Sequence, residues 1–144
     1  MATPGGWFYW AVLSAVFAAL TAIFAKLGLR GVDSDLATLI RTAIIIVVLS
    51  AFVFYSGKWS NPFELSSTTW LFLTLSGLAT GASWVCYFRA LKIGEASKVA
   101  PVDKLSIVLV AVFAFAILGE RPSLREWSGI AMVAGGVLLL AFKR

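Results

Sequence analysis

The sequence has no histidine, a single cysteine and few charges, and each shortage closes off a class of function. Without histidine the chain lacks the commonest metal ligand and the usual general base near neutral pH. Cys86 has no second cysteine with which to form an internal disulfide, and no base partners it as a nucleophile would require. No metal-ligand spacing or glycine-rich phosphate loop occurs, so no metal or other cofactor is expected. These shortages together argue against an enzyme. Charged residues are 13% of the 144 positions, where a soluble domain carries about one quarter.

Apolar residues fill the space left by charge, at 60% of the chain. They gather into runs long enough to cross a hydrocarbon layer of about 30 Å, which takes roughly 20 helical residues. Backbone groups in lipid must be paired within their own segment, so these runs are helices. Spans are expected at 7–27, 36–55, 70–90, 99–118 and 124–142. No Lys or Arg precedes Trp7, so the first run is read as a retained span rather than a secretory signal. The chain carries no internal repeat, and 1–144 is read as one five-helix unit.

Local signals mark the span ends. Asp33-Ser34-Asp35 offers N-caps to the second helix, and Ser66-Ser67-Thr68-Thr69 to the third. Ser123 and Glu126 have the spacing of a capping box. Gly94 suits a left-handed end to helix three, and Pro101 is expected in the first turn of helix four, where a missing N–H costs least.

The net charge of +5 arises from residues flanking spans, so it points to membrane orientation and not to nucleic acid. On the amino-terminal side, side A, lie Lys58, Arg121 and Arg125; on the opposite side, side B, lie Lys26, Arg30, Arg41, Arg89, Lys92, Lys98, Lys104, Lys143 and Arg144. That bias predicts an outside N-terminus and a cytoplasmic C-terminus. Trp7, Trp10, Trp59, Trp70 and Trp127 fall near span ends on the amino-terminal side, as an interfacial belt would. Trp84 falls within span three, facing lipid or lining a path.

Polar residues inside the spans are the candidate site. Ser76, Thr80, Ser83 and Tyr87 are spaced to share a stripe of span three. Such hydroxyls either bond back to carbonyls and join helices, or line a substrate cavity beside Trp84. Gly77 and Gly81, like Ala131 and Gly135, are spaced for close helix packing. Lys26, Arg41, Arg89, Asp103 and Lys104 lie toward the side-B span ends. Charges placed there are costly and face a partner or a wet cavity. One carboxylate among four cations suggests an electropositive vestibule; the alternative is snorkelling anchors with Asp103 in a structural ion pair.

Ala90-Leu91-Lys92-Ile93-Gly94, then Pro101-Val102-Asp103-Lys104-Leu105-Ser106, Leu118-Gly119-Glu120-Arg121, Gly129 and Gly135-Gly136 together resemble the EamA unit of the drug/metabolite transporter superfamily. The likeness is greatest to its single-unit, five-span bacterial and archaeal branch, and it runs over essentially the whole chain. It implies an all-α integral membrane protein of one EamA-type repeat in the plasma membrane. Larger relatives carry two such units as an inverted repeat, so a single unit is expected to be completed by a second copy or a related five-span protein. The acid that four-span small multidrug resistance relatives carry in span one has no counterpart here.

The expected function is a dimeric secondary transporter, an exporter of a small metabolite or drug-like molecule. Its substrate would meet Lys26, Arg41, Thr80, Ser83, Trp84, Tyr87, Arg89, Asp103 and Lys104. A non-transporting scaffold or accessory subunit would show its charges paired at helix contacts and no polar cavity. A lipid-linked flippase would show a lateral opening between helices.

Overall fold

The computed structural model describes residues 6–141. Phe142, the expected end of span five, and the side-B cations Lys143 and Arg144 lie outside the described residues. Five segments are long and apolar enough to cross a membrane: α1 (Gly6–Gly28), α2 (Ser34–Tyr55), α3 (Ser67–Ile93), a composite fourth span (Ala96–Leu118) and α6 (Leu124–Ala141). Large apolar side chains such as Ile44, Val47 and Leu78 point outward, and among the described residues only five hydrophobic ones are buried. An outer surface of this kind is matched to lipid, where apolar faces need no covering.

Short-range chemistry sets the helix ends. Asp33 accepts from the backbone N–H groups of Asp35 at 2.9 Å and Leu36 at 3.1 Å, so α2 begins at Ser34 and takes Asp35 into its first turn. Ser66 Oγ accepts from Thr69 N–H at 3.1 Å at the start of α3. The capping box before α6 is formed both ways: Ser123 N–H donates to Glu126 at 2.6 Å, and Glu126 N–H donates to Ser123 Oγ at 3.4 Å. Trp70 donates its indole N–H to Pro62 O at 3.1 Å, anchoring the 3₁₀ turn Pro62–Glu64 that precedes α3.

The chain divides into two compact units, Ile23–Ile93 and the remainder. In Ile23–Ile93, α2 and α3 pack together. The buried side chains cluster toward one end of this unit, at Leu29, Thr38, Phe88 and Leu91, of which Leu91 is fully covered. Two lysines close that end. Lys26 of α1 donates to Leu91 O of α3 at 2.5 Å, while Lys92 of α3 donates to Leu29 O at 2.9 Å and to Val32 O. Each ammonium meets carbonyls at the end of the other helix, where the backbone dipole favours a cation.

In the other unit, α6 packs along both α4 (Ala96–Asp103) and α5 (Ser106–Phe113). The fourth span is not one continuous helix. It starts three residues earlier than the sequence suggests, so Pro101 sits inside α4 and not in its first turn. The ladder then tightens: Lys104, Leu105, Ile107 and Val108 donate to carbonyls three residues back, at 2.9–3.0 Å. Proline supplies no N–H and its ring crowds the preceding turn, which accounts for a break at this place. α5 runs on into a π-helical turn, Ala114–Leu118, closed by Gly119 at φ +69° and by Glu120 N–H on Ala114 O at 3.2 Å. A side chain at position 119 would be strained there, hence glycine. Gly94, in contrast, does not take the expected left-handed conformation, because Glu95 continues extended into α4.

Candidate functional site

The polar stripes of α2 and α3 meet in a groove. α2 contributes Asp35, Thr38, Leu39 and Thr42, at helical spacings of three, one and three; α3 contributes Ser76, Thr80 and Trp84, four residues apart, with Gly77 and Gly81 beside them. The groove is open along one side and has a volume of about 590 Å³. The two glycines widen it: a Cβ built on either would meet nothing within 4 Å. Their expected role in close helix packing is therefore not seen within the described chain, since they face the groove.

Three threonines in the wall are oriented alike. Thr38 donates to Ser34 O, Thr42 to Thr38 O and Thr80 to Ser76 O, each at 2.8 Å. The hydroxyl protons are committed to the helix backbone, which leaves the oxygen lone pairs as acceptors toward the groove. Thr80 bonds back to the carbonyl of Ser76 and also lies in the wall of the groove. Ser83 and Tyr87 are not in the groove wall. At about 100° per residue, Ser83 is turned roughly 100° away from the groove's centre line; Tyr87 lies beyond its end, with its ring 6.3 Å from that of Phe88.

One end of the groove is held by an ion pair. Arg89 Nε donates to Asp35 Oδ1 at 2.9 Å, and Nη2 donates to Asp35 Oδ2 at 2.6 Å. Two parallel bonds fix the guanidinium plane against the carboxylate and join the start of α2 to the last turns of α3. Arg41 lies seven residues into α2, about 10 Å along the axis from its start. Its guanidinium carbon is 4.3 Å from the centre of the Trp84 ring and 5.3 Å from that of Phe88. Stacking on an aromatic face offsets part of the cost of a cation at this depth.

Within Ile23–Ile93 the expected surplus of positive charge is reduced by partners the sequence did not reveal. Arg89 is neutralised by Asp35, and Lys26 and Lys92 are taken up by helix-end carbonyls. Asp103 and Lys104 belong to the other unit and pair with each other at 3.2 Å, where the fourth span breaks. Asp35, Thr38 and Thr42 are missing from the sequence-based site. Their signal was available, because the three fall on one stripe of α2 just as Ser76 and Thr80 do on α3.

Among curated proteins, the chain is 59% identical over 135 residues to a Sinorhizobium protein named "uncharacterized transporter in cobO 3′ region", covering 94% of this chain and 96% of that one. It is 26% identical over 141 residues to the uncharacterized transporter YxxF of Bacillus subtilis, covering 97% of this chain but 44% of that protein's length. A Pseudomonas fluorescens protein named "probable 4-amino-4-deoxy-L-arabinose-phosphoundecaprenol flippase subunit ArnE" is 32% identical over 88 residues, covering 60% of this chain and 75% of its own. No solved structure matches the chain at a significant level. The EamA-like transporter family model matches residues 5–142, and with five apolar helices of spanning length beneath that match, the chain belongs to this family.

Proposed function

We propose that the chain is a secondary transporter, not an enzyme, that exports a small metabolite or drug-like molecule across the plasma membrane as a dimer working by alternating access. The observation that carries this reading is the α2–α3 groove, which gathers Asp35, three threonines and Trp84 inside otherwise apolar helices. Polar lining in such helices is costly unless it meets water or a ligand. Arg41, Thr80 and Trp84 bind substrate in this scheme, with Asp35, Thr38 and Thr42 added to them. Arg89 holds the groove's end through Asp35, Lys26 closes the neighbouring junction of α1 with α3, Ser83 and Tyr87 border the groove, and Asp103 with Lys104 marks the discontinuity of the fourth span. The dimer, of two copies or with a related five-span protein, is supported by the Bacillus subtilis relative, of whose length this chain matches 44%. The excess of cations on side B supports an outside N-terminus and a cytoplasmic C-terminus.

Reconstitution into proteoliposomes tests the scheme. Efflux of at least one compound from a metabolite panel is expected, falling by ~10-fold or more in Arg41→Ala and Trp84→Ala. Wild-type flux in both variants would move the site elsewhere, and absence of flux across a broad panel would favour a scaffold.

A second reading, lipid-linked flippase, is favoured by the groove's lateral opening. The Pseudomonas fluorescens relatives named as flippase subunits point the same way. Transbilayer movement of a fluorescent polyprenyl phosphate, with no flux of soluble compounds, would select it.

A further inference from the structure

Arg41 differs from the three cations that close and join the helix ends of its unit, Lys26, Arg89 and Lys92. Lys26, Arg89 and Lys92 have their protons on carbonyl or carboxylate oxygens. Among the described residues, the Arg41 guanidinium lies over the rings of Trp84 and Phe88, with the Tyr87 phenol acting on its charge, and it forms no ion pair with a carboxylate. Stacking occupies the faces of a guanidinium and leaves its edge, with five N–H donors in a planar fork, uncommitted. That edge is not sealed in the interior, since no buried side-chain nitrogen or oxygen lacks a hydrogen-bond partner. A planar fork of this kind, held over two rings about 10 Å inside the span, is shaped for a carboxylate or phosphate taken in two parallel bonds.

The wall next to it asks for the opposite chemistry. Trp84 belongs both to the Arg41 stack and to the groove. Beyond it, Thr38, Thr42 and Thr80 present oxygens whose protons are already committed to the backbone. Acceptors of this sort reward a ligand carrying O–H or N–H donors and give nothing to a carbonyl.

We infer that the Arg41–Trp84 stack is an oxyanion receptor, and that the groove takes an organic carboxylate or phosphate ester whose body carries hydroxyl or amino donors. This inference rests on the groove being a ligand site, as the transporter reading holds. The ligand supplies the anion that Arg41 lacks, and its donors meet the threonine oxygens. Such a ligand could arrive from water, as a sugar phosphate or sugar acid, or from the bilayer, as a hydroxylated phospholipid headgroup.

Thermal unfolding of the purified full chain in neutral maltoside micelles tests this with four probes: glucose 6-phosphate, gluconate, inorganic phosphate and glucose. A ligand that binds only the folded state raises the midpoint. Glucose 6-phosphate and gluconate are expected to raise it in a saturable way, inorganic phosphate less, and glucose not at all. Arg41→Gln abolishes the shift; Arg41→Lys, which keeps the charge and loses the fork, weakens apparent affinity by ~10-fold or more. Thr42→Val lowers affinity for the sugar phosphate and leaves that for inorganic phosphate unchanged.

A parallel arm compares nanodiscs of phosphatidylcholine with and without phosphatidylglycerol. Stabilisation by phosphatidylglycerol that Arg41→Gln removes, with no response to the soluble probes, supports the receptor and assigns the ligand to the membrane. If Arg41→Gln does not fold, Trp84→Leu, which takes away the stacking ring, must weaken both arms. No response in either arm, or responses equal in Arg41→Gln, overturns the inference, as does dissociation of a dimer by Arg41→Gln that traces the missing anion to a second copy. Binding without flux sinks the transporter reading and leaves the receptor standing, whereas flux that survives Arg41→Gln with no oxyanion response sinks the receptor alone.

Discussion

Lys26 and Lys92 exchange ends: the ammonium of each donates to backbone carbonyls at or beside the terminus of the other's helix. Both residues are lysines near span ends; from sequence Lys26 reads as a substrate-site candidate with a snorkelling anchor as the alternative, and Lys92 as a flanking charge that sets orientation. Their common use is internal, closing the junction around the buried Leu29 and Leu91. Lys26→Met is expected to lower the stability of the detergent-solubilised protein by about 1 kcal/mol, the worth of one charge-assisted hydrogen bond with its exposure discounted. Lys92→Met costs less because its side chain is more exposed. Calorimetric midpoints check both, and no loss in Lys26→Met would assign that residue to lipid contact.

The Asp35–Arg89 pair joins helices whose sequences are far apart, and both side chains are about half exposed. Charge reversal at one position, Asp35→Arg or Arg89→Asp, is expected to lower the thermal midpoint, and the double swap to restore most of it. The difference between single and double variants should shrink as salt is raised, since exposed pairs are screened. Additive losses in the double variant would mean that the pair does not join α2 to α3.

Gly77 and Gly81 provide a test of what the groove is for. A helical glycine replaced by alanine gains about 0.5–1 kcal/mol where space allows, and there is space at both positions. Gly77→Ala should therefore stabilise the protein. Gly77→Leu should leave it folded while filling the groove and cutting transport by ~10-fold or more. Loss of the dimer instead of flux in Gly77→Leu would identify the surface as a helix-docking face.

Helix starts were legible in the sequence because their chemistry is local. Asp33 and the Ser123/Glu126 box act within three residues, so spacing alone reveals them. The five apolar runs were legible because bilayer thickness dictates their length. Pairings over longer separations were not: Arg89 meets Asp35 across 54 positions, and Asp35 reads as a cap residue until α2 is seen to begin at Ser34. Pro101 was misplaced because a shift of three residues at the start of α4 moves it from a tolerated position to a disruptive one. The stripe on α3 was visible, yet it named Ser83 in place of Gly77, since hydroxyls stand out in a sequence and openings do not.

Pro101→Ala returns an N–H to α4 and removes a ring from its interior. The variant should be at least as stable as the wild type, since proline inside a helix costs about 3 kcal/mol relative to alanine. If the discontinuity at Asp103–Leu105 flexes during the cycle, flux should fall while substrate binding is retained. Unchanged flux would show that the break is static.

Orientation can be read with single cysteines in a Cys86→Ser background. Ser60→Cys, in the link before α3, is expected to react with a membrane-impermeant maleimide in intact cells, and Ser97→Cys, at the start of α4, only after lysis. The reverse pattern would invert the assigned topology, and reaction of both sites in intact cells would indicate insertion in two directions.

α3 has 27 residues and so a length of about 40 Å, whereas α6 has 18 and reaches about 27 Å. A hydrocarbon layer of about 30 Å matches the second and falls short of the first. The surplus quarter of α3 leaves it two courses, to lean or to stand proud of the oil. In the second case its final turns carry Arg89 and Lys92 to the depth of lipid phosphates. The far end of the groove then lies at the boundary where membrane gives way to water, within reach of solutes from either phase.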